Sequence, residues 1–578
     1  MSCWLEDAMA RFHQIFCLLL TSSTAYPTFA GQCYAPSDPI RLTRLEQRAV
    51  VLTISDDPEV FSADFSLKRT LHNILATTPG ANPSAIGDAE IEALLQTMLD
   101  DLAAPELANA EARITYTVQP RPGEARLAAK ALLTPGGADE MKPVGLFNRL
   151  DLTPGDFSNC GEFRIVYAKN SHLGGSPTET RPQFDDRLTI IFEAALTNPD
   201  PTGDPGQCQQ AWGLWKTFSQ AAADGSPKVS DAEIGQQLSA FYYDGGPIGA
   251  SGTFEPVVDY RHYGLPNGQV RANAFVQPAD THPGGGPALN WHLRQWRVFF
   301  DDNSSNSPAI FEPRALNENP VPGFFDGSNP GVKTGDEGKF DVLAGLFRNT
   351  FVHTNVPQLT AVDALAAIPS STPSTVADLI DNVGVDIDDR FYAVDSDAGP
   401  PQGPAADDPA GRVSVGSPVS NALFDRLARL KIGEACGLTP THVLNRMGAM
   451  TCAGCHQFSN GKEIAPGIRW PLSSTFVHIN EAGGLSALLL DRFLPFRYHL
   501  MDGITPTAPT LSQVLSSNAG ALAVSDLAAK RQDLDSKLSQ LTSSKSVEAL
   551  VTVSNLSAEI RQFDKSQVGA FVMFRKPD

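Results

Sequence analysis

Residues 452–456 read Cys-Ala-Gly-Cys-His, and no other stretch restricts its own folding as tightly. Two thiols three positions apart fall on one side of a helical turn, and the next histidine is carried beneath that turn. Thioethers to both vinyl groups of one porphyrin, with the adjacent imidazole on the iron, need this order and spacing, so Cys-x-x-Cys-His marks covalent haem attachment. The same residues admit a Cys452–Cys455 disulfide or redox pair, or a zinc site completed by His456 or His478. Zinc usually takes a second cysteine pair at matching spacing, and the sequence has none. The leading expectation is one covalent haem c anchored by Cys452, Cys455 and His456.

The start of the chain agrees with that reading. An apolar run at 15–20 follows Arg11 and His13 and leads through small polar residues to Thr28-Phe29-Ala30. This is the pattern of a signal peptide over 1–30, and the run is too short to span a bilayer. Covalent haem attachment needs an exported chain, so the two features support each other, and a periplasmic or secreted bacterial protein is expected. Met9 makes a more usual start than Met1, because Glu6 and Asp7 spoil the positive leader.

The net charge of -21 excludes the basic footprint of a nucleic-acid binder and attraction to anionic lipid, while it would steer a basic redox partner protein. Of the eight cysteines, those outside the leader and the motif are Cys33, Cys160, Cys208 and Cys436. Three pairings are open in an oxidising compartment, with Cys160–Cys208 the first choice because both flank one apolar strand region.

Alternating apolar residues predict strands at 49–54, 113–118, 145–150, 163–167, 188–192 and 297–300, with helices at 65–75, 209–223 and 231–243. The expected fold is an α+β N-terminal region with a mixed sheet over 31–300. An irregular and helical linker region follows over 301–412, holding a second helical stretch and ending in a Pro/Gly/Asp-rich tract. A mainly α-helical haem region is expected over 413–510, with helices at 417–430, from Thr439-Pro440 into the motif, and at 483–494. C-terminal helices over 511–578 complete the chain.

Around the motif, residues 418–505 resemble a class I cytochrome c domain: a helix runs into Cys452, and Lys462-Glu463-Ile464-Ala465-Pro466-Gly467 sits where that family has a proline loop against the proximal histidine. The resemblance implies electron transfer and a sixth ligand. The candidates are Met501, His478 and His499, or a water-occupied position that would permit peroxide or oxygen chemistry. A thioether would raise the potential and a second imidazole would lower it. Arg469, Trp470, Arg492, Arg497 and Tyr498 are candidates to meet the haem propionates. Over most of its length the chain is similar to a set of large exported bacterial proteins, through Val144-Gly145-Leu146-Phe147-Asn148-Arg149-Leu150-Asp151, Asn159-Cys160-Gly161-Glu162-Phe163-Arg164 and a late Cys-x-x-Cys-His followed by Phe-x-His-Ile. That resemblance implies no reaction, but it joins His478 to the haem motif.

Electron transfer is one function class, a haem-dependent oxidoreductase a second, and a binding or scaffold protein with a structural cysteine pair a third. Bacterial peroxidases of this kind carry two attachment motifs and this chain has one, which lowers the second. Asn148, Arg149, Asp151, Glu162 and Arg164 are expected to brace neighbouring strands as ion pairs, or to line a site. The acidic loops at 326–337 and 386–397 lack the ligand spacing of a twelve-residue calcium loop. Trp212, Trp215, Trp291 and Trp296 read as core. No phosphate loop, dinucleotide fingerprint or Gly-x-Ser-x-Gly occurs.

Overall fold

Period-two alternation over 141–197 builds three long neighbouring strands, and five shorter ones extend them into a single sheet of eight. The strands are β1 (Val51–Thr53), β2 (Met141–Arg149), β3 (Asn159–Lys169), β4 (Leu188–Thr197), β5 (Gln269–Ala274), β6 (His292–Phe299), β7 (Ile310–Arg314) and β8 (Ser396–Asp397). The first seven lie side by side in chain order, and β8 pairs with the start of β6. This computed structural model describes residues 41–503 apart from internal stretches, the longest being 170–186, 276–290, 361–386 and 398–407. The leader expected over 1–30, the helices expected over 511–578, and Cys33 and Cys436 lie outside the described residues.

Two parts of the expected fold are corrected. The sheet is not mixed, because every pairing in it is antiparallel. The helices α3 (Gly206–Thr217) and α4 (Asp231–Ser239) sit between β4 and β5. They return the chain to the end of the sheet that it left, so they are not the crossovers that parallel strands require. Nor do residues 437–503 make a cytochrome-like helical region. They contain α6 (Pro440–Met450), a wide helical turn at Gly454–Phe458, a small hairpin at Glu463–Ala465 and Ile468–Arg469, an extended stretch, and helical residues from 487 that end in α7 (Leu494–Gly503). The helix expected at 483–494 therefore starts later and takes in Met501. A Cys-x-x-Cys-His dictates one turn of backbone; the apolar residues after it pack partly on one another, Phe458 on Phe476 and Trp470 on Phe493, and partly on the sheet, as Ile479 does over Gly145.

Local signals elsewhere act as expected. Thr439 caps α6 with Pro440 in its first turn, and Ser417 caps α5 (Pro418–Leu430), each filling an amide left open at a helix start. Cys160 and Cys208 form a disulfide, Cα to Cα 5.0 Å, that ties α3 to β3. Among the described residues no helix is long and apolar enough to cross a membrane.

The two sides of the sheet are unlike. Phe163, Ile165, Tyr167, Ile190, Phe192 and Val270 point to one side, where α1 (Leu67–Ala76) and α2 (Asp88–Leu102) cover them. The Thr70 and Tyr167 hydroxyls meet at 2.6 Å, and the Trp296 indole donates to Asp101 Oδ2 at 2.9 Å. Glu162, Arg164, Glu193, Gln269, Arg271 and Asn273 alternate onto the opposite side, also buried. Residues 451–503 cover that side.

Candidate functional site

The Cys-x-x-Cys-His motif lies on the charged side of the sheet. Helix α6 ends at Met450, and Gly454 packs so closely on it that a Cβ there would lie 1.7 Å from the Gly448 carbonyl oxygen. Only glycine permits this reversal. Asn319 accepts the Cys452 backbone N–H at 2.9 Å. Cys452 and Cys455 are both fully buried, and neither is in a disulfide.

His456 is held in one tautomer. Its Nδ1 donates to the Phe476 carbonyl at 2.8 Å, and its ring lies 5.2 Å from that of Trp291, whose indole donates to Asn273 Oδ1 at 2.9 Å. Its Nε2 is buried with no hydrogen-bond partner. Burial pushes the His456 pKa down to about 4, with the Phe476 carbonyl partly opposing, so the ring is neutral with a bare lone pair on Nε2.

His478 sits beside it, ring centroids 4.6 Å apart. The His478 Nε2 is 3.5 Å from the Cys455 sulfur and its Nδ1 is 3.3 Å from the Ser486 hydroxyl. Burial, then His456 and Arg497, hold His478 well below the ordinary histidine range. His478 thus lies in space beside the motif it was expected to join.

A cavity of about 40 Å³ separates this layer from the sheet, lined among others by His456, His478 and Arg497 from the cover and Arg164, Thr189 and Asn273 from the strands. Met501 is buried on α7 but does not line it, and neither does His499. Of the propionate candidates Arg497 alone reaches the cavity; Arg469 instead donates to the Gly461 carbonyl at 2.8 Å. Arg164 joins Arg497 there. Only the alternation of β3 pointed to which side Arg164 would face.

Arg149, Asp151, Glu162 and Arg164 do pair beside the cavity. Arg149 Nη2 meets Asp151 Oδ2 at 2.8 Å, Arg164 Nη2 meets Glu162 Oε2 at 2.6 Å, and Arg164 Nη1 lies 3.3 Å from Glu193. Arg497 Nε lies 3.5 Å from Asp151. Burial, then Arg149, push the Arg497 pKa well below the usual arginine range. Burial would raise Asp151, but Arg149 and Arg497 outweigh it and hold its pKa below the ordinary value. Four arginines, counting Arg271, face three carboxylates, so the site carries a positive excess.

As donors, the two uncrosslinked thiols and the oriented, desolvated His456 nitrogen suit a covalently bound haem, while the space beside them is too small for one as it stands. A zinc site fits less well. Among the described residues, the one group of three His, Cys or carboxylate ligand atoms within 4.8 Å of one another is His292, Asp395 and Asp397, on the other side of the sheet. Compared with known proteins, the chain matches no family model, no curated protein and no solved structure.

Proposed function

We propose that this chain is an exported c-type haem protein, with one haem joined to Cys452 and Cys455, His456 on its iron, and single-electron exchange with a partner protein as its task. The orphaned Nε2 of His456 carries the proposal. A buried acceptor without a partner costs about 1–3 kcal/mol, and histidines that bind metal habitually donate their other nitrogen to a carbonyl, as His456 does to Phe476. The unjoined thiols support the same reading. Arg164 and Arg497 offer buried positive charge to carboxylates such as propionates. When bound, the haem would supply reversible one-electron chemistry, its potential set by axial ligand, burial and nearby hydrogen bonds. The -21 net charge favours a basic partner.

A water takes on the order of 10–15 Å³ of such a cavity, so about 40 Å³ has room for a few waters and none for a porphyrin. Haem loading and the present seating of 476–479 on the sheet are therefore alternatives. The test is full-length protein exported from a host with and without haem-maturation machinery. The proposal expects coloured protein with sharp reduced bands, one haem of added mass, both thiols blocked to alkylation, and an altered near-ultraviolet circular dichroism as Trp291 loses its stack. Colourless protein from the competent host, with both thiols alkylated, ends it.

One observation favours a second reading, haem-dependent oxidation chemistry: neither Met501 nor His499 lines the cavity, and His478 lies on the His456 side. Carbon monoxide binding by reduced protein supports that reading, and its absence supports a six-coordinate electron carrier.

A further inference from the structure

We propose that His292, Asp395 and Asp397 bind one divalent transition-metal cation at the edge of the sheet, on the side away from His456. The placement follows from strand geometry. His292 opens β6 and is the register partner of Asp397 in β8, and Asp395 precedes Asp397 by two residues, so all three side chains emerge on one side. Their ligand atoms lie within 4.8 Å of one another.

His292 supplies the independent observation. It is 2 % exposed, and its buried Nδ1 makes no hydrogen bond. The Asp395 carboxylate stands 3.7 Å from that nitrogen, aimed at it but beyond hydrogen-bond reach. A cation held between the two carboxylates gives that imidazole nitrogen the partner it lacks.

The surroundings leave charge for such an ion. Two arginines face the site, Arg121 on Glu124 at 2.6 Å and Arg294 on the Asp101 carbonyl at 2.9 Å. A dication would offset the repulsion between the Asp395 and Asp397 carboxylates, whose oxygens lie within 4.8 Å of one another and of the His292 ligand atom. One imidazole nitrogen with two carboxylates suits zinc, manganese or ferrous iron over calcium or magnesium, which take oxygen alone. Three protein ligands leave a coordination position for water. The ion would pin the two-residue β8, which otherwise hangs on a short ladder.

Full-length protein, stripped with chelator and desalted, is titrated with Zn²⁺ alone by calorimetry. The proposal expects one ion per chain, binding at least about tenfold weaker in Asp397→Asn, a loss that even an outer partner of a metal ligand can bring, and undiminished binding when Cys452 and Cys455 are both replaced by alanine. Zn²⁺ should raise the Tm of the wild type by more than it raises that of Asp397→Asn, each measured against its own metal-free melt, so a less stable variant still reports. No stoichiometric binding, equal binding by Asp397→Asn, or binding lost with the two cysteines overturns the site.

Discussion

The two sides of the central sheet come from alternate residues of the same strands, yet they are held down by opposite physics. On one side Phe192 packs edge-on against Tyr167, Tyr263 and Phe311, and helices α1 and α2 close over an apolar layer. On the other, Arg164, Glu162, Glu193 and Arg271 are equally buried but pay for desolvation through mutual ion pairs. Apolar burial is non-directional and tolerates neighbours of many shapes. A buried ion-pair network demands particular partners and leaves any unmatched group exposed to a large penalty. The difference teaches why the motif sits where it does: its cysteines and His456 lie over the stretch of β3, β4 and β5 whose buried side chains are charged, where polar atoms have fixed orientations.

The comparison can be broken by mutation on each side. Phe192→Ala should cost about 3–5 kcal/mol in urea unfolding, the range for emptying a buried aromatic site, with the same loss at high and low salt. Glu193→Gln should cost about 3 kcal/mol, because Arg164 and Arg271 then share fewer negative charges. Its loss should couple to that of Arg164→Met in a double-mutant cycle, where Phe192→Ala and Arg164→Met should simply add. If both behave alike, the two sides are not physically distinct.

A smaller effect probes the seam between sheet and cover. A Cβ on Gly145 would lie 2.6 Å from Ile479 Cδ1, so Gly145→Ala should cost about 1–3 kcal/mol through overpacking. Adding Ile479→Ala should recover part of it; a double-mutant cycle with no coupling would show that residue 479 does not rest there.

The smallest effect is a slope. Asp151 has a folded pKa below its unfolded value, so its contribution is complete above the unfolded value, about 3.9, and is lost as pH falls from there through the folded one. Wild type and Phe192→Ala should lose stability with the same slope across that acid window, and Asp151→Asn should show a shallower one. Parallel curves for all three would remove Asp151 from the network's account.

How far the molecule was legible depended on how local each signal was. Strands β2, β3 and β4 carry large β-formers at every second position and were readable as strands. β5, Gln-Val-Arg-Ala-Asn-Ala, keeps strict alternation with small or polar side chains, so no strand was expected there, yet it supplies Asn273 and Arg271 to the charged side. The Cys160–Cys208 choice agrees with the observed bond. The mixed sheet and helical haem region were overturned because both inferred a global arrangement from local helices. The distal-ligand candidates rest on side-chain chemistry and, for His478, on the Phe-x-His-Ile resemblance, neither of which says which side of α7 Met501 occupies.

What this amino-acid order determined by itself is short-range: the turn that pairs Cys452 with Cys455, the caps at Ser417 and Thr439, and the two-residue period that assigns each strand residue to a side. Interactions within a few residues are set by backbone sterics and need no distant partner. Tertiary structure alone decided that His456 would lie beside Trp291, face Arg164 and leave Nε2 without a partner, and that His292 would meet Asp395 and Asp397. Those contacts join residues a hundred or more positions apart, and they exist only because burying both sides of one sheet brings such segments to the same few ångströms.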